Sequence, residues 1–418
     1  MSQQPTASRF ALAFIFLSMF IDTVGLGIVI PVTPKLIAEL IGQNAYAPHA
    51  MSNAAWYGGW LMAVFAGMQF LFSPLLGNLS DRFGRRPVLI ISLVALAIDY
   101  TITGAAPTIA WLFIGRALSG MAGATYSTAN AYIADVSPPE KRAANFGITG
   151  AAFSVGFVIG PVIGGFLGEY GARLPFFVAA AIAIANALFG LFVLKESLPR
   201  ERRRKFELWR ANPLGALVAL RRYPTLIGLV GVVILMRLAH DANPSVFTYY
   251  TMLKFHWSPR DVALALGAFG VLMAVVYGFL PRLLVPRIGE TMAVLLGLTF
   301  ETIGFAGYAL ATTGWMMFAW MAVWTLSGLA GPALSAIQSK LVPPDEQGEL
   351  QGGLACVGGL TSIVAPALLT NLFSYFTGPS APVYFPGAAF LAAACCVALA
   401  LLLFAASQSR LRAAAEPA

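Results

Sequence analysis

The sequence predicts an all-α integral membrane protein, with twelve transmembrane helices arranged as two six-helix bundles. Three observations support this fold class: the composition, the length of the apolar runs, and a sequence repeat on either side of a basic middle segment. Hydrophobic residues make up 58% of the 418 residues and charged residues only 11%, and the mean hydropathy is +0.77. A soluble globule of this composition would expose large apolar patches, so we expect the bilayer to be its solvent.

Apolar runs of membrane-spanning length recur along the whole chain. A helix needs about 20 mostly apolar residues to cross the hydrocarbon core. Runs of this length exclude a membrane β-barrel, whose strands alternate in polarity and contain only about 10 residues. Bounded by charge, glycine or proline, the predicted spans lie near residues 10-33, 54-77, 87-106, 108-133, 144-168, 174-195, 224-248, 260-283, 290-311, 314-338, 349-372 and 384-405.

The basic residues predict the orientation of these spans. If both termini are cytoplasmic, only Lys35, Arg173, Lys254 and Arg260 face outward, as the positive-inside rule requires. The basic residues that then face inward, besides those of the middle segment, are Arg9, Arg82, Arg85, Arg86, Lys141, Arg142, Arg282, Arg287, Lys340, Arg410 and Arg412. Topology thus accounts for the net charge of +8, and we expect no nucleic-acid partner.

The longest polar interruption, residues 195-222, predicts the domain boundary. It holds a concentration of basic residues, Lys195, Arg200, Arg202, Arg203, Arg204, Lys205, Arg210, Arg221 and Arg222. We predict an N-terminal six-helix bundle over residues 1-194, a basic cytoplasmic central loop over 195-222 and a C-terminal six-helix bundle over 223-418.

An internal repeat supports this division. The residues from Ser137 to Glu140, followed by Gly147 and Pro161, recur with the same spacing in the second half. The second copy consists of Val342, Pro343, Pro344 and Asp345, followed by Gly352 and Pro366. A parallel repeat of this kind predicts two related bundles, with a substrate site near the membrane midplane.

Charges and glycines interrupt the apolar runs between residues 77 and 87, and we interpret this stretch as a tight basic loop between the second and third helices. Its polar and turn residues are Gly77, Asp81, Arg82, Gly84, Arg85 and Arg86. An aspartate near a helix N-terminus is favoured by the helix dipole. Arg85 can form charge-assisted hydrogen bonds to a carboxylate such as Asp135, at the cytoplasmic end of the fourth helix. Such contacts would hold the cytoplasmic side closed. The alternative is a loop that serves only as a topology anchor.

Four acidic residues lie well inside predicted spans, away from the span ends: Asp22, Asp99, Asp241 and Glu301. An ionisable side chain within a membrane is a functional candidate by default. A desolvated carboxyl group can take up a proton from one side of the membrane and release it on the other. The alternative for Asp22 is polar packing within the first helix.

Basic side chains inside the spans require partners. A guanidinium at the depth of Arg116, in the fourth helix, costs roughly 3 kcal/mol on insertion scales, so we predict Asp99 as its partner. A purely structural ion pair is the alternative. Arg237 and Asp241 are four residues apart in the seventh helix, with His240 beside them. We expect these two to pair with each other, with substrate contact as the alternative.

A stripe of small residues lies in the fifth predicted helix. Gly156, Gly160 and Gly164 recur every four residues, accompanied by Pro161 and Gly165. This spacing places the glycines on one face, where a neighbouring helix can approach closely.

These motifs resemble those of the major facilitator superfamily. The residues from Gly77 to Arg86 match its pattern G-x-L-x-D-R-x-G-R-R, and the Gly156 stripe with Pro161 resembles the motif of its proton-coupled exporters. The resemblance to the tetracycline/proton antiporter group is carried by Met68 to Pro74, Ile98 to Tyr100, Gly115 to Thr125 and Gln347 to Gly352. It implies functional roles for Asp22, Asp99 and Arg116, a place for Gln69 near the drug site, and a sealing role for the glycine stripe.

The second half departs from that group in three ways, the first being the presence of Arg237, His240 and Asp241, which are unusual for the group. Glu301 stands where the group has an aspartate in the ninth helix. Because glutamate is also a carboxylic acid, this position can still bind and release a proton. Met273 and Tyr277 stand where it has a histidine and a glutamine in the eighth helix. These two side chains share a helix face and predict an apolar, aromatic wall suited to an amphipathic substrate.

The resemblance therefore implies a proton-coupled secondary transporter that exports tetracycline or a related amphipathic drug by alternating access. Protons are the coupling ion and no cofactor is expected; a divalent cation would enter only with a tetracycline substrate. We expect a monomer in the inner membrane of a bacterium, with both termini cytoplasmic. The alternative is a proton-coupled importer or exporter of a different organic solute, in which Arg237 or Arg116 would bind an anion.

Other function classes find little support in the sequence. It contains no HExxH motif, nucleophile elbow or P-loop, which disfavours an intramembrane enzyme and an ATP-driven pump. The three cysteines, Cys356, Cys395 and Cys396, all fall in predicted helices and fit neither a disulfide framework nor a metal site. We therefore predict no enzymatic activity and no bound metal, with an enzyme or receptor kept as the alternative class.

Overall fold

The computed structural model describes residues 9–45, 47, 49–123, 125–204 and 223–415, and all regular structure in these residues is helical. The α-helices are α1 Arg9–Val29, α2 Thr33–Leu40, α3 Ala50–Phe83, α4 Arg85–Ala105, α5 Ile109–Met121, α6 Thr125–Val136, α7 Pro139–Gly168, α8 Leu174–Val193, α9 Pro224–His240, α10 Ala242–Phe255, α11 Pro259–Ile288, α12 Glu290–Leu310, α13 Gly314–Thr325, α14 Ala330–Lys340, α15 Gln347–Thr377 and α16 Ala388–Ala415. Short 3-10 turns cover Arg200–Arg202, Leu326–Leu329 and Pro344–Glu346.

The predicted all-helical membrane class is confirmed. Among the described residues, ten helical stretches are long and apolar enough to cross a membrane. An eleventh is added if the bent pair Ile15–Val29 and Thr33–Leu40, which meet at 49°, counts as one span. The predicted fourth span consists of α5, which is short, and α6. The total of twelve spans therefore stays a prediction.

Two predicted spans in the second half contain a local irregularity within the helix. The span over 224-248 is interrupted at Asp241, three residues before Pro244, and the span over 314-338 passes through the turn Leu326–Leu329 before Pro332. Proline has no N–H to donate to the carbonyl four residues earlier, which is His240 in the first case and Gly328 in the second. The regular α-helical pattern is locally disturbed at these points as a result.

The prediction of a basic loop over residues 77 to 87 is wrong. Helix α3 continues to Phe83 and α4 begins at Arg85, so Gly84 alone separates them. Gly84 has a φ of 109°, a conformation that glycine adopts without strain. Charged residues such as arginine are compatible with a helix, and one residue with positive φ is enough to turn the chain. Gly289, with a φ of 81°, separates α11 and α12 in the same way.

The chain forms two compact units. Unit 1 comprises Met1–Gln43, Val64–Asn212 and Ser258–Gly270, and unit 2 comprises Asn44–Ala63, Pro213–Trp257 and Val271–Ala418. The first part of α3 therefore belongs to unit 2, and the first part of α11 belongs to unit 1. Residues 205–222 of the predicted central loop lie outside the described residues, and the division into 1-194, 195-222 and 223-418 stays a prediction.

The helices of each unit pair in a corresponding way. In unit 1, α1 packs against α7 and α8, and α4 packs against α5 and α8. In unit 2, α9 packs against α15 and α16, and α12 packs against α13 and α16. The equivalent pairs are those expected if the second half repeats the helix order of the first. Functional side chains described below lie on α4 in unit 1 and on α12 in unit 2.

Candidate functional site

An ion pair joins α4 and α5 within unit 1. The guanidinium of Arg116 contacts the carboxylate of Asp99, which is fully buried. The hydroxyl of Thr103 donates a hydrogen bond to Asp99 Oδ1 at 3.3 Å. A Cβ at position 115 would collide with the same oxygen, so Gly115 lets the carboxylate approach α5. The predicted partner of Arg116 is confirmed.

Gln69 on α3 also contacts the end of α5. Its side-chain Nε2 donates to the backbone oxygen of Gly123 at 3.0 Å. Close packing supports this contact, because a Cβ at Gly120 would lie 2.5 Å from the backbone oxygen of Phe65. The amide group is thereby fixed at the end of the helix that carries Arg116. A role of Gln69 in drug binding stays a prediction.

Asp22 lies on α1 with one carboxylate oxygen enclosed. Its Oδ1 is buried and has no hydrogen-bond partner among the described residues. The fully buried Tyr100, on α4, lies within electrostatic range of Asp22, Asp99 and Arg116. These three charged residues therefore belong to one polar region of unit 1. Whether Asp22 binds a proton stays a prediction.

The glycine stripe of α7 packs against α1, which confirms the predicted close helix approach. A Cβ at Gly156 would come within 2.9 Å of a backbone oxygen of α1, and one at Gly160 within 2.7 Å of the backbone oxygen of Val24. A Cβ at Gly164 would collide with the backbone oxygen of Ile28. No side chain fits at these positions while α1 and α7 keep their present separation.

The other two residues of this motif contact different neighbours. Pro161 lies against Gly27 of α1, where a Cβ would come within 2.7 Å of the proline ring. Gly165 faces the first turn of α11, and a Cβ there would lie 2.7 Å from the backbone oxygen of Pro259. A loose ion pair of 3.7 Å joins Glu169 and Arg260 beside this contact. The end of α7 is thus packed against the part of α11 that belongs to unit 1.

The first part of α3 is packed in a comparable way against α15 within unit 2. The hydroxyl of Ser52 donates to the hydroxyl of Thr377 at 2.6 Å. About two helical turns further along, a Cβ at Gly59 would lie 2.9 Å from the backbone oxygen of Pro366. Gly67, later in the same helix, has open space around its Cβ position.

Arg85 lies at the centre of an ionic cluster at the junction of α3 and α4. Its Nη1 lies 2.6 Å from Asp81 Oδ1, and its Nε donates to Asp135 Oδ2 at 3.1 Å. The predicted contact between Arg85 and Asp135 is confirmed. One guanidinium thereby joins the end of α3, the start of α4 and the end of α6.

Glu196 completes this cluster, and its contribution was not predicted. Its carboxylate accepts hydrogen bonds from the backbone N–H groups of Arg85, at 2.8 Å, and Arg86, at 3.3 Å. It therefore caps the N-terminus of α4, where the helix dipole favours a negative charge. A Cβ at Gly84 would collide with the Glu196 carboxylate. The hydroxyl of Ser197 donates to Asp135 Oδ2 at 3.1 Å.

The remaining residues of the motif make weaker contacts or none. The guanidinium of Arg82 lies 5.1 Å from the centre of the Phe83 ring. The Arg86 guanidinium donates to the backbone oxygen of Leu191. A Cβ at Gly77 would meet open space. The ionic contacts of this motif are therefore concentrated on Asp81 and Arg85.

In unit 2, Glu301 on α12 faces His240, the last residue of α9. Glu301 is fully buried, and the imidazole Nδ1 lies 2.9 Å from its Oε1. The His240 ring also packs edge-on against Trp324, with 5.1 Å between ring centres. Gly304, one turn beyond Glu301, lets α13 come close, since a Cβ there would lie 2.8 Å from Trp324 Cα. This pairing was not predicted.

The expected pair of Arg237 and Asp241 is not formed. Within the described residues, no ion pair joins these two side chains. The backbone N–H of Asp241 still donates to the oxygen of Arg237 at 3.2 Å, so the helical spacing of the two residues is kept. Four-residue spacing permits such a pair but does not enforce it. The side chain of Arg237 is exposed.

Met273 and Tyr277 lie on the part of α11 that belongs to unit 2. The Tyr277 side chain is 37% exposed, and its ring packs over Gly328, where a Cβ would approach within 2.6 Å. Tyr277 also lies within electrostatic range of Glu301. The predicted aromatic wall would therefore adjoin the buried acid of the same unit. Substrate contact by either residue stays a prediction.

Comparisons with known proteins identify relatives of the whole chain. The sequence matches the family model described as Major Facilitator Superfamily over residues 15–300 and 229–417. It is 38% identical to a protein named tetracycline resistance protein, class C, from Escherichia coli, over 88% of this chain and 90% of that protein. It is 36% identical to tetracycline resistance protein, class G, from Vibrio anguillarum, over 86% of this chain and 89% of that protein.

The fold is similar to that of solved transporters. The crystal structure of the human organic anion transporter MFSD10 superposes with a TM-score of 0.67 at 22% sequence identity. The superposition covers 95% of this chain and 99% of that chain. This likeness confirms the predicted fold class.

Proposed function

The chain belongs to the major facilitator superfamily, and we propose that it exports tetracycline or a related amphipathic drug in exchange for protons. The observation that carries the proposal is a fully buried carboxyl group beside a basic side chain in each unit. These are Asp99 with Arg116 in unit 1 and Glu301 with His240 in unit 2. The names of the relatives, tetracycline resistance proteins of several classes, supply the substrate.

Proton coupling would use Asp99, Glu301 and Asp22. A carboxyl group enclosed by protein can hold a proton and release it when alternating access exposes it to the opposite side. The membrane potential favours proton entry by about 2.3 kcal/mol per charge per 100 mV, which is enough to drive uphill export. Arg116 would balance the ionised form of Asp99 during this cycle.

Gating would depend on the junction of α3 and α4. The ionic contacts of Asp81, Arg85 and Asp135 would hold the cytoplasmic side closed in one state and rearrange in the other. Arg82, Arg86, Gly77 and Gly84 would support the geometry of this junction. The glycine stripe would seal the first bundle, because a proton leak through α1 and α7 would uncouple transport.

Substrate contacts would involve Gln69, Met273 and Tyr277, which combine one amide with two apolar or aromatic side chains. A divalent cation would accompany a tetracycline as part of the substrate. One observation favours a second candidate function, transport of a different, anionic solute: the exposed guanidinium of Arg237 lies on α9, close in sequence to the buried pair of unit 2.

The protein is a multi-pass membrane protein, and we propose that it works as a monomer in the inner membrane of a bacterium, with both termini cytoplasmic. Its partners would be the drug, protons and the surrounding lipid. No enzymatic step is required for this function.

Drug accumulation in intact cells tests the proposed export. Cells that express the protein should accumulate less labelled tetracycline than control cells, and a protonophore should abolish the difference. Asp99→Asn, produced at matched levels in the membrane, should behave like the empty vector. Higher accumulation in expressing cells would indicate import, and equal accumulation with verified folded protein would indicate a different substrate.

A further inference from the structure

The contact between His240 and Glu301 joins two residues that are distant in sequence and unequal in exposure. The Glu301 side chain is fully buried, whereas 35% of the His240 side chain is exposed. Among the described residues, the Glu301 oxygens have no hydrogen-bond partner apart from the imidazole contact. The imidazole is therefore a partly exposed group in direct contact with an enclosed carboxylate.

The surroundings of this pair are largely apolar. Trp324 and Phe305 pack beside it, with 5.7 Å between their ring centres. Helices α13 and α16 contribute no charged residue in their membrane-spanning parts, and in α14 the only charged residue, Lys340, pairs with Glu290. An interaction between opposite charges is strong where little water or protein charge screens it.

Three further ionisable groups act on the pair. Arg237 and Asp241 lie within electrostatic range of His240 at the break between α9 and α10. Tyr277 approaches Glu301 from α11. Arg237 disfavours a second positive charge on the imidazole, whereas Asp241 and Glu301 favour it. Charged groups of both signs therefore lie around His240.

We propose that His240 is a positioning residue that controls when Glu301 accepts and releases its proton. The proposal rests on the proposed proton coupling and names the group that tunes one of its carboxyl groups. With His240 protonated and Glu301 ionised, the two attract each other and the ring covers the carboxylate. When a proton from the acidic side binds Glu301, the carboxyl group becomes neutral and the attraction is lost.

The ring can then move away and leave the neutral carboxyl group free to be carried through the conformational change. Release of the same proton on the opposite side restores the charge on Glu301, and the imidazolium returns. His240 keeps its own proton throughout, so one proton crosses the membrane for each cycle of this pair.

Transport by His240→Gln tests this assignment. Without the imidazolium, Glu301 should bind its proton more tightly. Release of this proton should then require a higher pH on the side where it is released. We expect the pH optimum of proton-driven transport to move to higher pH by about 1–3 units, the range over which an adjacent opposite charge acts. Exchange of labelled for unlabelled drug without a proton gradient should continue. The control is His256→Asn, at a position with a φ of 54° that asparagine tolerates.

Titration of the histidines in the purified protein tests the pairing without any transport. The chain has only three histidines, and the NMR signal of His240 is the one lost in His240→Gln. Its titration midpoint should lie at least about one pH unit lower in Glu301→Gln than in the wild type, because the carboxylate that favours the imidazolium is gone. The same midpoint in both proteins would overturn the proposal. If the midpoint is shifted but the protein exports no drug, the pairing of His240 with Glu301 is supported and the proposed function is rejected.

Discussion

The guanidinium of Arg116 and the carboxylate of Asp99 form an ion pair between α5 and α4, at a position where only glycine at residue 115 leaves room for the carboxylate. Asp99 is fully enclosed, whereas 20% of the Arg116 side chain is exposed. Such a pair can serve stability, transport or both. The two roles can be separated, because removing one charge and removing both charges affect stability differently.

Asp99→Asn should destabilise the protein and abolish transport. The change leaves the Arg116 charge without its carboxylate, at a cost of roughly 3 kcal/mol, the lower end of the range for buried pairs because Arg116 is partly exposed. The double variant Asp99→Asn/Arg116→Gln should recover most of this stability, since no unpaired charge remains. Thermal unfolding in detergent measures both effects.

Transport by the double variant then distinguishes the two roles. If Asp99 carries protons, the stable double variant should still be inactive in drug export. Recovery of transport together with stability would show that the pair is only structural.

Gly164→Ala should disturb the contact between α7 and α1. The added methyl group would collide with the backbone oxygen of Ile28, so the helices must separate at a cost of about 1–3 kcal/mol. Gly150→Ala, on the same helix, meets open space and should be neutral or stabilising by about 0.5–1 kcal/mol. The unfolding temperature should fall, and the passive proton leak into vesicles should rise, for the first variant alone. Equal behaviour of the two variants would contradict the packing role of the stripe.

Arg85→Gln should impair transport much more than Arg82→Gln. The first change removes the contacts to Asp81 and Asp135, whereas the Arg82 side chain packs on its neighbour Phe83. We expect a loss of at least about tenfold in the initial rate of drug transport for Arg85→Gln, equivalent to about 1.4 kcal/mol. The measurement is transport at matched protein levels in membrane vesicles. Similar rates for the two variants would leave the motif with a topological role alone.

Gly59→Val should prevent the first part of α3 from packing on α15. A side chain at this position would meet Thr370 and the backbone oxygen of Pro366, whereas valine at Gly67 on the same helix would meet open space. Transport and thermal stability should fall for Gly59→Val and stay near wild type for Gly67→Val. If both variants transport drug normally, this contact is dispensable for the transport cycle.

Part of this structure could be predicted from local sequence patterns. The apolar runs predicted the helices because the bilayer imposes their length and polarity. The cost of an unpaired guanidinium predicted that Arg116 needs a carboxylate, and Asp99 was within reach in the adjacent helix. The four-residue spacing of Gly156, Gly160 and Gly164 predicted a close helix contact, though not that α1 would provide it.

The contacts that were not predicted correctly have a common physical origin. They depend on the tertiary structure, which local sequence patterns do not contain. Arg237 and Asp241 keep the spacing of a helical pair, since the Asp241 N–H donates to the Arg237 backbone oxygen at 3.2 Å, but their side chains do not form an ion pair. Glu196 caps α4 from 111 positions away, and the sequence around Arg85 gives no signal that predicts this contact. His240 and Glu301 meet only because α9 and α12 pack into the same unit.

Proton movement in everted membrane vesicles with an acidified interior tests the central claim of drug/proton antiport most directly. Addition of tetracycline to vesicles with the wild-type protein should release protons, detected as recovery of a pH-sensitive dye. Asp99→Asn and Glu301→Gln should show no release, while Gly150→Ala responds like the wild type. Uptake of labelled tetracycline by wild-type vesicles without any proton release, or full release by both acidic-residue variants, would contradict the account.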